Sequence, residues 1–174
     1  MAPQRLLIMS ALMVCISVAG CEDRRADKAY LRGDYDKALT DVRFLANGGE
    51  ARAQYDLGLM YDKGQGVPQS DTEAMYWYGR AADQGEPRAL YNLGLMYLNG
   101  QGVPPDLVNA YYLISLSASK GNAHTLDARD YISEKMSTEQ IEEGKRLVQD
   151  YEEKAAQKNA CVVCNLFSGK KPPH

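Results

Sequence analysis

Histidine is nearly absent from this chain: there are two in 174 residues, His124 and His174. No Ser-His-Asp or Cys-His pairing and no His-x-x-x-His ligand pair can be drawn from them, which removes the usual nucleophilic and zinc-hydrolase chemistries. A basic excess is lacking as well. Lys and Arg number 20 against 23 Asp and Glu, for a net charge of −3, so the phosphate-neutralising footprint of a nucleic-acid binder is missing. Hydrophobic runs are short: the longest, Leu6–Ala19, has 14 residues, fewer than the ~20 a helix needs to cross a bilayer. Cysteine occurs four times, at 15, 21, 161 and 164, and nowhere in 53–121. The middle of the chain therefore carries no disulfide staples. Phe occurs twice and Trp once, whereas Tyr numbers 12 and Gly 15, which points to a patterned array of turns and tyrosines. With 45% hydrophobic and 25% charged residues, the composition is that of a globular domain and excludes disorder over most of the chain.

What is present begins with an address. The N-terminal amine and Arg5 precede the apolar stretch Leu6–Ala19, the layout of a secretion signal. The run ends in Val18-Ala19-Gly20-Cys21, which resembles the lipobox of bacterial lipoproteins: small residues fit the signal peptidase, and the Cys thiol accepts diacylglycerol. The resemblance implies a signal peptide over 1–20, lipidated Cys21, and a short linker over 21–25. Several acyl chains at ~0.8 kcal/mol per buried CH₂ would anchor the chain without crossing the membrane. The alternative is ordinary secretory cleavage after Ala19 or Gly20 with Cys21 a free thiol. Glu22 stands where enteric bacteria read an inner-membrane retention Asp, so the resemblance favours the outer membrane, facing the periplasm.

A repeat fills the middle. At an offset of 36, Ala53–Gly85 aligns with Ala89–Gly121 and 16 of 33 positions are identical. Tyr55-x-Leu57-Gly58-Leu59-Met60-Tyr61 and Gly64-Gln65-Gly66-Val67-Pro68 return as Tyr91-x-Leu93-Gly94-Leu95-Met96-Tyr97 and Gly100-Gln101-Gly102-Val103-Pro104. A half copy precedes them, because Ala38, Ala46 and Gly49 occupy the slots of Ala74, Ala82 and Gly85.

Each repeat reads as two helices. Ala53, Leu57, Met60 and Tyr61 fall on one stripe of a 3.6-residue period. Gly64, Gly66 and Pro68 stop that helix, Ser70 with Glu73 forms a capping box for the next, and Asp106 is the N-cap candidate in the following copy. Ala74, Trp77, Tyr78, Ala81 and Ala82 form the buried face of the second helix, which Gly85 ends. Gly58 and Gly94 lie inside helices at about 1 kcal/mol each against Ala, a cost that close approach of the paired helix through Ala74 and Ala110 would offset. Met60, Met96, Tyr61 and Tyr97 read as core, since no convergent polar groups accompany them. Ser137 and Gln140 make another capping box, after which Ile141, Gly144, Leu147, Val148 and Tyr151 line one face of a last helix.

This pattern resembles the Sel-1-like repeat family, relatives of the tetratricopeptide repeat. The resemblance implies an all-α fold, an α/α solenoid of stacked helix pairs. The expected organisation is an array over 26–136, with a degenerate half unit at 26–49, units at 50–85 and 86–121, and a closing helix at 122–136. A capping helix over 137–158 and a flexible Cys-x-x-Cys tail over 159–174 would follow. On the family's first-helix geometry, the stripe left outside the core is Arg52, Tyr55, Leu59 and Asp62 in one unit and Arg88, Tyr91, Leu95, Leu98 and Asn99 in the next. These are the candidate partner-binding residues. Leu59 and Leu95 have a second reading, packing against the neighbouring unit.

The tail pair Cys161 and Cys164 admits a local disulfide, a link to a partner or second copy, or metal or redox work. Thioredoxin-like chemistry needs such a pair at a helix N-terminus, and here it follows a helix. Glu142, Glu143, Glu152 and Glu153 read as a solvated face. The resemblance thus implies a non-enzymatic, membrane-anchored periplasmic scaffold without a cofactor, binding a protein or peptide through the concave face of its array. The alternatives are a cell-wall or β-lactam-related binder or enzyme, or a thiol-redox helper acting through Cys161 and Cys164. The absence of Cys from 53–121 departs from the cysteine-stapled relatives to which the β-lactam reading belongs.

Overall fold

The computed structural model describes residues 32–122 and 125–168, with side chains as far as Gln157 except that of Asp36. The signal segment, Cys21, the 21–25 linker, both histidines and residues 169–174 lie outside the described residues. All regular structure among the described residues is helical: α1 (Tyr35–Asn47), α2 (Ala51–Lys63), α3 (Asp71–Asp83), α4 (Pro87–Asn99), α5 (Leu107–Ser119), α6 (Thr125–Ser133) and α7 (Thr138–Ser168). The fold is all-α, with α1 packed on α2, α2 on α3, and α5 on both α6 and α7. The chain divides into two compact units, Met1–Ala89 and Leu90–His174.

The 36-residue period survives into the backbone. The helices α1, α3 and α5 start at 35, 71 and 107, and each has 13 residues, about 20 Å of helix. Each ends on a glycine in the left-handed region, Gly49 at φ 95°, Gly85 at 79° and Gly121 at 89°. The amides of these glycines donate to Ala46, Ala82 and Ala118 at 3.1, 2.8 and 3.0 Å. A side chain at positive φ would be strained, so glycine is what lets the chain leave the helix there while its last carbonyls stay bonded. This register identifies α1 as the second helix of the half unit.

The first helices close in matching ways too. Gly64 and Gly66 have φ of 65° and 72°, and Gly100 and Gly102 have 70° and 76°. After them Ser70 N–H donates to Tyr61 O at 3.0 Å, and Asp106 N–H to Tyr97 O at 2.9 Å. Ser70 Oγ accepts from Glu73 N–H at 3.3 Å, but the other arm of the expected capping box is replaced by that bond to Tyr61. Asp106 accepts from Val108 and Asn109 amides at 3.0 Å each. At α7 the box is complete, with Gln140 N–H donating to Ser137 Oγ at 3.3 Å and Ser137 N–H to Gln140 Oε1 at 2.9 Å.

In the first unit Val42, Ala46, Ala53, Leu57, Met60, Val67 and Trp77 form the core, flanked by Tyr35, Leu39, Leu45 and Tyr61. All five residues expected on the buried face of α3 are buried. Gly58 does admit a close helix, but the residue that fills its notch is Tyr78, where a Cβ on Gly58 would lie 2.6 Å from the ring. Ala74 was the expected contact. In the second unit a Cβ on Gly94 would lie 2.7 Å from Ile114 Cγ1 and 3.3 Å from Ala110 O. The two filling residues stand one helical turn beyond the alanines: helix pairs meet side chain to glycine, with the Ala110 carbonyl alongside in the second case.

The second unit has its own core of Ala110, Tyr111, Ile114, Ile132 and Met136. The helix α7 docks on it through Gly144, whose absent Cβ leaves room for the Tyr111 ring. The expected end of this helix at 158 is corrected to Ser168. Residues 155–168 contain neither Gly nor Pro, so nothing stops the helix before Gly169, with Pro172 and Pro173 beyond it.

Candidate partner-binding surface

The groove candidates of the first unit meet around one tyrosine. Tyr55, half-buried on α2, has the Arg88 guanidinium 4.4 Å from its ring centroid and the Tyr78 ring 5.7 Å away, tilted by 34°. Arg88 Nε also donates to Glu86 Oε1 at 2.7 Å. Burial pulls the Arg88 pKa down, but the hydrogen bond and charge of Glu86, with the charges of Asp56 and Tyr55, outweigh it and raise it above the ordinary guanidinium value. The same Asp56 pairs with Arg52 at 3.9 Å, so two arginines share acids beside one aromatic face. Such a guanidinium is fixed in direction, and its remaining N–H groups can still reach a carboxylate or carbonyl. The cation–π contact itself contributes about 0.5–1 kcal/mol at an exposed site.

Asp62 is used differently. Its carboxylate pairs with Lys63 at 3.0 Å, and its carbonyl accepts from Gln69 Nε2 at 3.0 Å, which ties it to the turn after α2. Leu59 is half-buried.

In the second unit the candidate stripe divides. Tyr91, Leu95 and Leu98 are partly buried against the core of Ala110, Tyr111, Ile114, Ile132 and Met136, so for Leu95 the packing reading holds. Asn99 is exposed and bonds Gln101 at 3.5 Å. The aromatic position that is decorated by charge in the first unit is a packing position here.

Glu86 and Asp56 were missed from sequence, although Glu86-x-Arg88 beside the motif tyrosine was the available signal. A buried polar link was missed too. Gln54 Nε2 donates to Ala46 O at 3.2 Å, and Gln84 Nε2 donates to Gln54 Oε1 at 2.7 Å, joining the ends of α1, α2 and α3.

Cys161 and Cys164 lie on helical backbone in the last turns of α7, while their side chains lie outside the described residues. This is the opposite end of the helix from the one where the macrodipole lowers a thiol pKa. No three His, Cys, Asp or Glu side chains converge among the described residues. Nor, among them, is any helix long and apolar enough to cross a membrane.

Comparison with known proteins agrees with this architecture. The Sel1 repeat family model matches residues 51–86 and 87–122, two consecutive stretches that coincide with the 36-residue period. A protective antigen present in uropathogenic Escherichia coli strains, displaying an SLR fold, is similar over 90% of this chain, with a TM-score of 0.74 and 26% identity. A Sel1 repeat protein from Oxalobacter formigenes is similar over 72%, with a TM-score of 0.61 and 26% identity. The chain spans 34% of the first and 54% of the second. None of the curated proteins matches it.

Proposed function

We propose that this protein is a non-enzymatic adaptor, lipid-anchored at Cys21 and facing the periplasm, that binds a protein or peptide partner through the first helices of its Sel1 repeats. The observation that carries the reading is the Arg88–Tyr55 stack with Glu86, Asp56 and Arg52 around it. A guanidinium aimed by acids and lying on an aromatic ring is a pre-organised contact, and Arg and Tyr are the residue types that dominate binding hot spots. The patch offers an arginine fork and a ring edge, which suit a peptide carbonyl or carboxylate beside an apolar side chain.

The test is crosslinking and pull-down from native membranes with wild type, Tyr55→Ala and Arg88→Glu. A partner captured by wild type and lost from both variants at unchanged helicity supports the reading. Capture that ignores both variants, or follows Cys161→Ser, overturns it. The anchor is tested by metabolic labelling with radiolabelled palmitate: label should enter wild type and vanish in Cys21→Ala, and label persisting in that variant would remove the anchor.

A further inference from the structure

The second unit contains an open groove of about 440 Å³ between α5, α6 and α7. Its apolar surface comes from Tyr111 and Ala118 on α5, Leu126 on α6 and Val148 on α7, and two cations line it from different helices, Arg129 on α6 and Lys145 on α7. Among the described residues no acidic side chain contributes to the lining, in a chain whose acids outnumber its bases. Gly144 leaves room for the Tyr111 ring where α7 meets α5, and the groove opens beside Lys145 and Val148, one and four positions farther on.

Charge at the groove is left over. Among the described residues Arg129 is paired only with its chain neighbour Asp130, at 3.3 Å, and Asp130 is 70% exposed. Lys145 makes no ion pair among the described residues, although Arg146 next to it is bonded to Glu143. Leu126 is 51% exposed, an apolar side chain standing in water beside these cations. Two positive groups flanking an apolar cleft complement an anion attached to something hydrophobic, and the volume falls within the ~300–1,000 Å³ of small-ligand sites, room for two side chains.

We infer that this groove is a second docking site, which takes an acidic residue next to a large apolar residue on a partner protein. The carboxylate sits between Arg129 and Lys145, and the apolar side chain lies on Leu126 and Val148. The site shares no residue with the Tyr55 patch and does not depend on it.

The experiment measures saturation-transfer NMR and fluorescence anisotropy on the full chain in detergent. The probes are the capped peptides Gly-Glu-Phe-Gly, Gly-Gln-Phe-Gly and Gly-Lys-Phe-Gly. The Glu-Phe peptide should bind, with the Gln-Phe peptide at least fivefold weaker and the Lys-Phe peptide showing no binding. Lys145→Glu and Arg129→Glu should each weaken the Glu-Phe peptide about tenfold at unchanged thermal melting, and added salt should do so more gradually. Lys154→Glu on the same helix, and Tyr55→Ala, should leave binding intact, which separates failure here from failure of the adaptor patch. No binding of the Glu-Phe peptide, equal binding of the three peptides, or insensitivity to Lys145→Glu overturns the inference. So does a result in which Lys145→Glu releases the protein from phosphatidylglycerol vesicles without changing peptide binding, since the cations would then serve a lipid headgroup.

Discussion

The two repeats are close copies by sequence, yet they put equivalent positions to opposite uses. Gln54 and Leu90 stand 36 residues apart on first helices, and both are buried, at 1% and 2% exposure. One is the centre of a polar link to Ala46 and Gln84, and the other is plain hydrophobic core. Tyr55 lies under an arginine, whereas Tyr91 packs against core. The notch of Gly58 is filled by an aromatic ring and that of Gly94 by a branched aliphatic. The motif fixes where glycines and alanines must be, because those positions are limited by backbone approach. What fills the space they leave is free to vary with the neighbours.

Exchanging residues between the copies tests this difference. The largest effect should come from Leu90→Gln, which places an amide in a site built for an aliphatic side chain. Lost transfer energy and an unsatisfied amide together should cost about 3 kcal/mol, read as a shift in the urea midpoint at unchanged m-value. Gly58→Ala follows at about 1–2 kcal/mol. The new Cβ would meet the Tyr78 ring at 2.6 Å, and the ~1 kcal/mol gained in helix propensity offsets only part of the overpacking cost. Stabilisation by this substitution would show that Tyr78 does not pin the helix pair.

The reverse exchange, Gln54→Leu, should cost only about 1 kcal/mol, the net worth of the bonds it removes. An outcome equal to that of Leu90→Gln would mean the two sites do not differ in kind. Ser115→Ala should be neutral or stabilise by up to about 1 kcal/mol, since its hydroxyl oxygen is buried with no partner among the described residues. Thermal melting would show a drop if that oxygen has a structural use.

The smallest effect concerns pH. Glu139, at the start of α7, has its pKa held below the ordinary 4.5 by the backbone N–H at its own position and by Ser137. A depressed carboxylate stabilises the fold at neutral pH, and that contribution is lost as pH falls through the folded value. Glu139→Gln should therefore leave a slightly flatter acid limb of stability against pH, and identical limbs would deny the contribution.

The glycine and alanine positions, the helix pairs, and the face Ile141, Gly144, Leu147, Val148 of α7 were legible because periodicity and left-handed turns leave a mark on residue type. The Arg88–Tyr55 stack was half legible. Both residues were picked as surface, but their meeting joins the first helix of one repeat to the first helix of the previous one, and no local spacing encodes that. The extent of α7 was misjudged because a cysteine pair suggested a tail, while the lack of any breaker before Gly169 decided the backbone.

By itself the sequence determined the period, the alternation of first and second helices, and the turns that separate them. These are local consequences of glycine, proline and helical spacing, which act within a few residues. Tertiary structure alone decided that Tyr78 and Ile114 fill the glycine notches, that Leu95 packs against the core, and that Arg129 and Lys145 face one cleft. Each of these depends on which helix lies alongside, and a side chain's role as core or surface is set by the neighbour that excludes water from it.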